Sequence, residues 1–343
     1  MKKRALITGV TGQIGSYLAE YLLELDYTVY GLLRRRASPA TTNLDWHGIT
    51  DKIHFMSGDL SDDISLQRVL NELATGVDRG YDSKDSPLEV YHLAAMSHVP
   101  TSFSQPLYTI DITGTGTLRL LETIYQICPD VRVYIACSSE IFGDAPAPQN
   151  EKTPFSPRSP YAAAKALSLH LARIYREGYG LFAACGIVFN TESPLRDEEF
   201  VTRKITKSLA RIKFGLQDRL ILGNLDAERD WMWCDDTVNG IYKILQYPHP
   251  NDFVLATGES HSVREFVELA CEYADVPLTC VETSRSLYRP LEVPLLRGDA
   301  SKAHQLLEWE PKVKFPELVR RMVEHDLLIE ETKKKSLKEN VPW

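Results

Sequence analysis

A glycine-rich turn near the N-terminus constrains the fold of this chain more than any other feature. An apolar run at residues 5–8 leads into the segment GVTGQIG at residues 9–15, and a helical pattern follows, with apolar residues at Ile14, Leu18, Leu22 and Leu25. A buried strand, a glycine turn and a helix in this order are typical of a dinucleotide-binding unit. The glycines are spaced GxxGxxG rather than GxGxxG, and a turn with only a structural role is the alternative.

The residues of this turn have expected roles in binding a dinucleotide. Gly9 permits the tight turn, Gly12 lets the backbone approach a pyrophosphate at the helix N-terminus, and Gly15 allows the helix to pack closely. We therefore expect the cofactor-binding residues to include Gly9, Thr11, Gly12, Gln13, Ile14 and Gly15.

Apolar, β-branched or aromatic runs alternate with helical patterns along the chain. They lie at residues 5–8, 27–33, 53–56, 90–94, 131–136 and 182–189, and a further run at 251–256 is expected to return to the same sheet. This alternation predicts an α/β fold with a Rossmann-like, doubly wound parallel sheet. The polar, aperiodic stretch at residues 74–87 predicts a surface loop.

A smaller α+β C-terminal domain is expected to bind the substrate. Its predicted extent is residues 190–233 plus 259–343, and the cofactor-binding domain then comprises residues 1–189 plus about 234–258.

Candidate cofactor contacts follow two of the predicted strands, because parallel sheets of this kind bind ligands at the carboxyl ends of their strands. Asp59 and Leu60 come after the third strand, and Leu93, Ala94 and Ala95 end the fourth. We expect Asp59 to hold the adenine amino group and the small alanines to let the backbone lie against the cofactor. Plain strand packing is the alternative for the alanines.

The second predicted strand ends in Arg34-Arg35-Arg36, where a fold of this kind that prefers NAD carries an acidic residue for the ribose 2′-hydroxyl. Guanidinium groups pair well with phosphate oxygens. Arg34 and Arg35 therefore predict NADP as the cofactor, and an ordinary solvated basic loop is the alternative.

Two groups of proton-handling side chains point to catalysis. Ser138-Ser139-Glu140 ends the fifth predicted strand, and Tyr161 and Lys165 lie four residues apart. On a helix this spacing places both side chains on one face, where the ammonium group is expected to lower the pKa of the tyrosine. Core packing or solvent exposure is the alternative for the pair, and a structural salt bridge is the alternative for Glu140.

Composition excludes several other classes of protein. The 343 residues carry a net charge of −8 and no basic stripe with interleaved aromatics, which argues against nucleic-acid binding. The six cysteines form no CxxC pair and have no histidine spacing suited to zinc, so we expect reduced thiols, no metal and a cytoplasmic protein. No apolar run is long enough to predict a membrane span.

Taken together, the motifs resemble those of the extended short-chain dehydrogenase/reductases, also called the NAD-dependent epimerase/dehydratase family, and within it the GDP-mannose dehydratase branch. The resemblance runs nearly end to end and includes the segments PYAAAK at residues 160–165, FVTRKI at 200–205, LGNLD at 222–226, RDW at 229–231 and YRP at 288–290. The chain departs from the family at Ile14, Ser138 and Thr191, where the family usually has Asp, Thr and His. Ser138 keeps the hydroxyl group.

The resemblance implies an internal redox dehydration of a GDP-sugar, from GDP-D-mannose to GDP-4-keto-6-deoxy-D-mannose. Its catalytic residues would be Ser138, Glu140, Tyr161 and Lys165, and Tyr161 and Lys165 would also contact the NADP. The substrate would be bound by Ser97, Asn190, Val201, Lys204, Leu222, Asn224, Arg229, Arg289 and Glu292. The resemblance also implies a homodimer or homotetramer.

Two other functions remain open at this stage. One is a C4 reductase, oxidase or epimerase of the same fold acting on a GDP-hexose or GDP-heptose. Glu140 argues against a pure reductase, because only elimination across C5 and C6 needs an additional acid/base. The other is a non-catalytic NADP sensor, which would have no use for Ser138, Tyr161 and Lys165 together.

Overall fold

The computed structural model describes residues 2–35, 37, 40–75 and 86–339. Arg36 and most of the predicted surface loop at residues 74–87 lie outside the described residues. Within the described ranges, the strands in chain order are β1 (Arg4–Thr8), β2 (Thr28–Leu33), β3 (His54–Ser57), β4 (Leu88–His92), β5 (Arg132–Ser138), β6 (Ala183–Val188), β7 (Asn190–Glu192), β8 (Leu220–Leu222), β9 (Glu228–Arg229), β10 (Trp231–Trp233), β11 (Asp252–Leu255), β12 (His261–Ser262), β13 (Val281–Thr283) and β14 (Leu295–Leu296).

The helices of the same ranges are α1 (Gln13–Glu24), α2 (Thr42–His47), α3 (Asp63–Thr75), α4 (Val99–Ser104), α5 (Pro106–Thr109), α6 (Gly116–Ile127), α7 (Pro160–Tyr179), α8 (Val201–Lys213), α9 (Cys234–Gln246), α10 (Val263–Ala274), α11 (Ser301–Leu307) and α12 (Phe315–Glu339). Short 3-10 turns lie at Thr50–Lys52, Ser139–Phe142, Leu278–Cys280 and Arg285–Leu287, and a π-helical turn at Ile110–Thr115 leads into α6.

The main sheet has seven strands in the order β11-β6-β5-β4-β1-β2-β3, and every neighbouring pair is parallel. The predicted Rossmann-like sheet is thus confirmed, including the return of the run at 251–256 as its edge strand. The strand order reverses between β1 and β4, and this reversal opens the crevice in which such sheets bind ligands. Strand β4 ends at His92, so residues 93–95 follow the strand instead of ending it.

Apolar side chains alternate between the two faces of the sheet. On β1, Leu6 packs with α3, α6 and α7, whereas Ala5 and Ile7 face α1 and α9. This period of two is what burial on both faces of a parallel sheet requires. Leu25, expected on the buried stripe of α1, is 42% exposed because the helix ends one residue before it.

A third apolar cluster lies among α8, α10, α12 and the short strands after residue 189. It includes Trp231, whose ring stacks on Phe315 at 5.8 Å between centroids. The domain boundaries expected at residues 190, 234 and 259 stay a prediction. No helix among the described residues is long and apolar enough to cross a membrane.

The turn between β1 and α1 leaves no room for a side chain at Gly15. A Cβ built there would lie 2.1 Å from the carbonyl oxygen of Gly9, so Gly15→Ala must push α1 away from the turn. We expect this variant to lose about 1–3 kcal/mol of unfolding free energy, as overpacked sites do, and to bind a dinucleotide more weakly. Urea titration measures the loss.

Gly178→Ala is the matched control, since Gly178 lies in α7 and the added Cβ would meet nothing within 4 Å beyond its chain neighbours and the backbone of its own helix. Equal urea midpoints for the two variants would contradict the packing argument.

Candidate active site

The crevice at the carboxyl ends of β1 and β4 opens into two neighbouring cavities of about 940 Å³ and about 540 Å³, which share Gly9, Ala94 and Ala95 in their walls. The larger lies between the sheet, α7 and α8. The segments at residues 222–224 and 286–292 form its remaining side. Together the cavities are large enough for a dinucleotide and a second ligand of similar kind.

The structure brings the residues predicted from sequence to these cavities. The larger cavity is lined by Gly9, Gly12, Gln13, Ile14, Gly15, Leu93, Ala94, Ala95, Ser97, Ser138, Glu140, Tyr161, Lys165, Asn190, Val201, Lys204, Leu222, Asn224, Arg229, Arg289 and Glu292. The smaller cavity is lined by Gly9, Thr11, Arg34, Arg35, Asp59, Leu60, Ala94 and Ala95.

The turn before α1 fits the diphosphate of a dinucleotide. Gly9 has a positive φ of 75°, and a Cβ on it would lie 2.9 Å from the backbone nitrogen of Ala94. Helix α1 begins after Gly12 with no side chain capping its amide groups. Its free N–H groups favour an anion at this end. Beside them, the buried Oε1 of Gln13 has no hydrogen-bond partner within the described residues.

Local structure positions the four candidate catalytic side chains. Strand β5 ends at Ser138, whose hydroxyl accepts the backbone N–H of Glu140 at 3.3 Å as the chain enters a 3-10 turn. Helix α7 begins at Pro160, and the hydroxyl of the preceding Ser159 accepts the N–H of Ala162 at 3.0 Å. This cap places Tyr161 in the first turn of the helix, with Lys165 one turn further along the same face.

The tyrosine is less acidic in this structure than the sequence predicts. The pKa of Tyr161 is raised to about 12. Burial is the largest cause, the Ser138 hydroxyl lowers the pKa, and the charge of Glu140 raises it. The ammonium group of Lys165 donates to the carbonyl oxygen of Ala136 at 2.6 Å, and burial lowers its pKa. In the chain without ligands the pKa of the phenol is thus raised, because desolvation disfavours the phenolate. The lowering expected from Lys165 stays a prediction.

Glu140 and the substrate-side charges form one cluster. The carboxylate of Glu140 lies 3.5 Å from the guanidinium of Arg289, and Arg229 lies 3.5 Å from Glu292. The pKa of Arg229 is lowered, chiefly by burial. The charge of Glu140 raises this pKa and that of Arg289 lowers it, so the three groups interact electrostatically. Lys204 lies on the first turn of α8, at the same cavity.

Two comparisons with known proteins bear on this site. The sequence model of the GDP-mannose 4,6 dehydratase family matches residues 6–322. GDP-mannose 4,6 dehydratases 1 and 2 of Arabidopsis thaliana are 48% and 47% identical to the chain, and each alignment covers 95% of this chain, with 90% and 87% of the relative. The chain belongs to the GDP-mannose 4,6-dehydratase family.

Solved structures agree with the fold. The dTDP-glucose 4,6-dehydratase DesIV of Streptomyces venezuelae, with NAD and TYD bound, superimposes with a TM-score of 0.81 at 25% identity, covering 94% of this chain and 96% of that one.

Thr191, where the resemblance leads us to expect His in this GDP-mannose 4,6-dehydratase family member, lines the larger cavity. Its hydroxyl shares a 3.0 Å hydrogen bond with that of Thr237, and its carbonyl oxygen accepts the side-chain amide of Gln13 at 3.0 Å. The short side chain is thus held within the wall of the cavity.

Arg196 and Glu192 are among the cavity residues of this family member that sequence reasoning did not assign to the site. The guanidinium of Arg196 lies 3.6 Å from the ring centroid of Phe200, and its charge lowers the pKa of Tyr161. The buried carboxylate of Glu192 lies 3.5 Å from Arg196 and accepts the hydroxyl proton of Thr202 at 2.5 Å. The charge-rich loop containing Arg196 was the available signal, whereas nothing in the sequence marks Glu192.

In the smaller cavity, Arg34 donates to the hydroxyl of Tyr108 at 2.6 Å. Asp59 accepts the backbone N–H and the hydroxyl proton of Ser61 through Oδ1. Within the described residues, no group of three or more His, Cys, Asp or Glu side chains could hold a metal ion.

Proposed function

We propose that this chain is a GDP-mannose 4,6-dehydratase, which converts GDP-D-mannose to GDP-4-keto-6-deoxy-D-mannose with loss of water. The hydride removed from C4 would return to C6 of the same molecule. One observation carries the proposal: Glu140 lines the same cavity as Ser138, Tyr161 and Lys165. A carboxylate beside that trio supplies the acid/base group that elimination needs and that simple carbonyl reduction does not.

Tyr161 is proposed to act as the base that removes the C4 hydroxyl proton. Ser138, whose hydroxyl lowers the pKa of the phenol, would bind the C4 oxygen. When bound, an oxidised nicotinamide dinucleotide would supply a reversible hydride acceptor for this step. Gly9, Gly12 and the first turn of α1 would hold its diphosphate, and Lys165 would bind the nicotinamide ribose.

Glu140 is proposed to remove the C5 proton, which a ketone at C4 makes acidic. The protonated carboxyl group can then donate to the departing C6 hydroxyl, so that one side chain carries the proton from C5 to the oxygen that leaves C6 as water. When the hydride returns to C6, C5 must take up a proton again. Because the original proton has left with the water, the new one comes from solvent, through Glu140, which is 8% exposed.

The diphosphate of the GDP-sugar is proposed to lie against Lys204, Arg229 and Arg289, because cationic side chains favour phosphate oxygens. The remaining proposed substrate contacts, around the base, ribose and sugar, are Ser97, Asn190, Val201, Leu222, Asn224 and Glu292.

NADP is the proposed cofactor, since Arg34 and Arg35 line the smaller cavity and no acidic residue stands at the end of β2. We expect Arg35→Ala to weaken NADP binding by about tenfold or more, the worth of a charge-assisted phosphate contact, and to change NAD binding little. Arg211→Ala, an exposed arginine on α8, controls for net charge. Tighter binding of NAD than NADP by the unaltered protein would refute the preference.

Incubation with GDP-mannose and catalytic NADP, with no added reductant, tests the function. The dehydratase forms the 4-keto-6-deoxy product under these conditions. A C4 reductase would instead consume stoichiometric NADPH, and a sensor protein would bind the dinucleotide and leave the sugar unchanged.

A homodimer or homotetramer in the cytoplasm is also proposed. Helices α6 and α7 expose the apolar side chains Leu118, Leu167, Ile174 and Tyr179, which a second copy would cover. All six cysteines are free thiols, as suits a reducing compartment. Sedimentation showing only monomer would refute the dimer.

A further inference from the structure

The carboxylate of Glu140 is paired with a cation that belongs to the substrate side of the cavity. Arg289 Nη1 lies 3.5 Å from Glu140 Oε1. The two residues come from distant parts of the chain, the turn after β5 and the segment between β13 and β14. Any ligand that takes Arg289 therefore also changes the surroundings of Glu140.

The two arginines of the cluster are held very differently. Arg229 is 5% exposed, donates to the carbonyl oxygens of Glu228 and Val293 at 2.8 Å each, and lies 3.5 Å from Glu292. Arg289 is 28% exposed on its side chain, and within the described residues its guanidinium has Glu140 as its one hydrogen-bond partner. Arg229 is thus fixed, whereas Arg289 is free to exchange partners.

A diphosphate is a stronger competitor for Arg289 than Glu140 is. Its two negative charges and several oxygens can accept both arms of a guanidinium fork, whereas the pair with Glu140 is a single long contact. Arg229 and Lys204 line the same cavity and would draw the diphosphate toward Arg289.

We propose that Arg289 is a substrate-sensing residue that pairs with Glu140 in the empty site and is drawn away when the diphosphate of the nucleotide sugar binds. This inference rests on the proposed function. The exchange frees the carboxylate to accept the C5 proton only when a nucleotide sugar occupies the cavity. Arg289 is in this sense a positioning residue, which acts on the reaction through Glu140.

The exchange of partners predicts a measurable change in GDP affinity, because coupling between two sites is reciprocal. If GDP must compete with Glu140 for Arg289, neutralising Glu140 strengthens GDP binding, and the gain depends on Arg289. Simple repulsion between Glu140 and the diphosphate would give a gain that does not depend on Arg289.

Calorimetric titration of GDP into four proteins separates these cases: the unaltered chain, Glu140→Gln, Arg289→Gln and the double variant. We expect Glu140→Gln to bind GDP about 5- to 10-fold more tightly, at the lower end of coupling effects because Arg289 is partly exposed. In the Arg289→Gln background, the same change is expected to shift the affinity by less than about twofold, the limit for independent sites.

Glu199→Gln is the matched control, because Glu199 lines the same cavity but pairs with His98 at 3.5 Å. It removes an equal charge without releasing Arg289, and we expect a change of less than about twofold. A gain from Glu140→Gln that is equal with and without Arg289, or no gain, overturns the inference while the proposed function stands. Failure of the unaltered protein to bind GDP overturns both.

Discussion

Glu140→Gln is expected to abolish product formation while the first hydride transfer continues. The amide has the size of the carboxylate but cannot accept the C5 proton, so the reaction should stop at the 4-keto intermediate. Acid/base groups contribute about 10²- to 10⁴-fold, and Glu140 is proposed to act in two successive steps. We therefore expect kcat to fall by at least about 10³-fold.

The stalled reaction has a distinctive signal. Because Ser138, Tyr161 and Lys165 are untouched, mixing the variant with NADP and GDP-mannose should give a burst of reduced nicotinamide absorbance, up to one equivalent per site, that persists. The unaltered enzyme returns the hydride and accumulates little. Glu199→Gln, which removes a carboxylate from the rim of the same cavity, should keep most of the activity. If Glu140→Gln forms product at an unimpaired rate, Glu140 is not the acid/base group of the elimination.

Tyr161→Phe is expected to stop the reaction one step earlier. Without the phenol, nothing at this position removes the C4 hydroxyl proton, so kcat should fall by about 10²- to 10⁴-fold and no burst of reduced nicotinamide should appear. NADP binding should persist, since the turn at residues 9–15 is unchanged. The presence or absence of the burst therefore distinguishes the two catalytic side chains. A full burst from Tyr161→Phe would contradict the assignment.

The pH dependence follows from the same residue. Burial raises the pKa of Tyr161 to about 12 in the chain without ligands, and the base must be the phenolate. Activity is therefore expected to rise with pH below the pKa that Tyr161 has in the working complex. The positive charge of an oxidised nicotinamide ring lowers that pKa. A pH profile of kcat measures the rising limb, which should be missing in Tyr161→Phe.

The sheet could be predicted from sequence because each strand is a short apolar run with turn residues on either side. A parallel strand buried on both faces needs such a run, and the run at residues 251–256 met the same condition although it lies far along the chain. The ends of elements were less predictable. Leu25 continues the helical spacing of α1, but Asp26 adopts a positive φ of 60° directly after it, so the helix stops at Glu24.

The catalytic motif could be recognised in the sequence because Tyr161 and Lys165 have a fixed spacing on one helix and Ser138 ends a predicted strand. The direction of the Tyr161 pKa shift could not be predicted from sequence, because it depends on how deeply the fold buries the phenol. The pairing of Glu140 with Arg289 was equally hidden, because it joins two segments that only the folded sheet brings together. Glu192 was missed for the same reason: its role is to hold Arg196, and that contact follows no spacing rule.

The central claim is that a hydride leaves C4 and returns to C6 of the same sugar. Incubating the protein with GDP-mannose deuterated at C4, in ordinary water and with unlabelled NADP, tests it directly. We predict that the 4-keto-6-deoxy product carries the deuterium at C6 and that its C5 hydrogen comes from solvent. A product with no deuterium at C6, or deuterium recovered in the NADPH pool, would contradict the account.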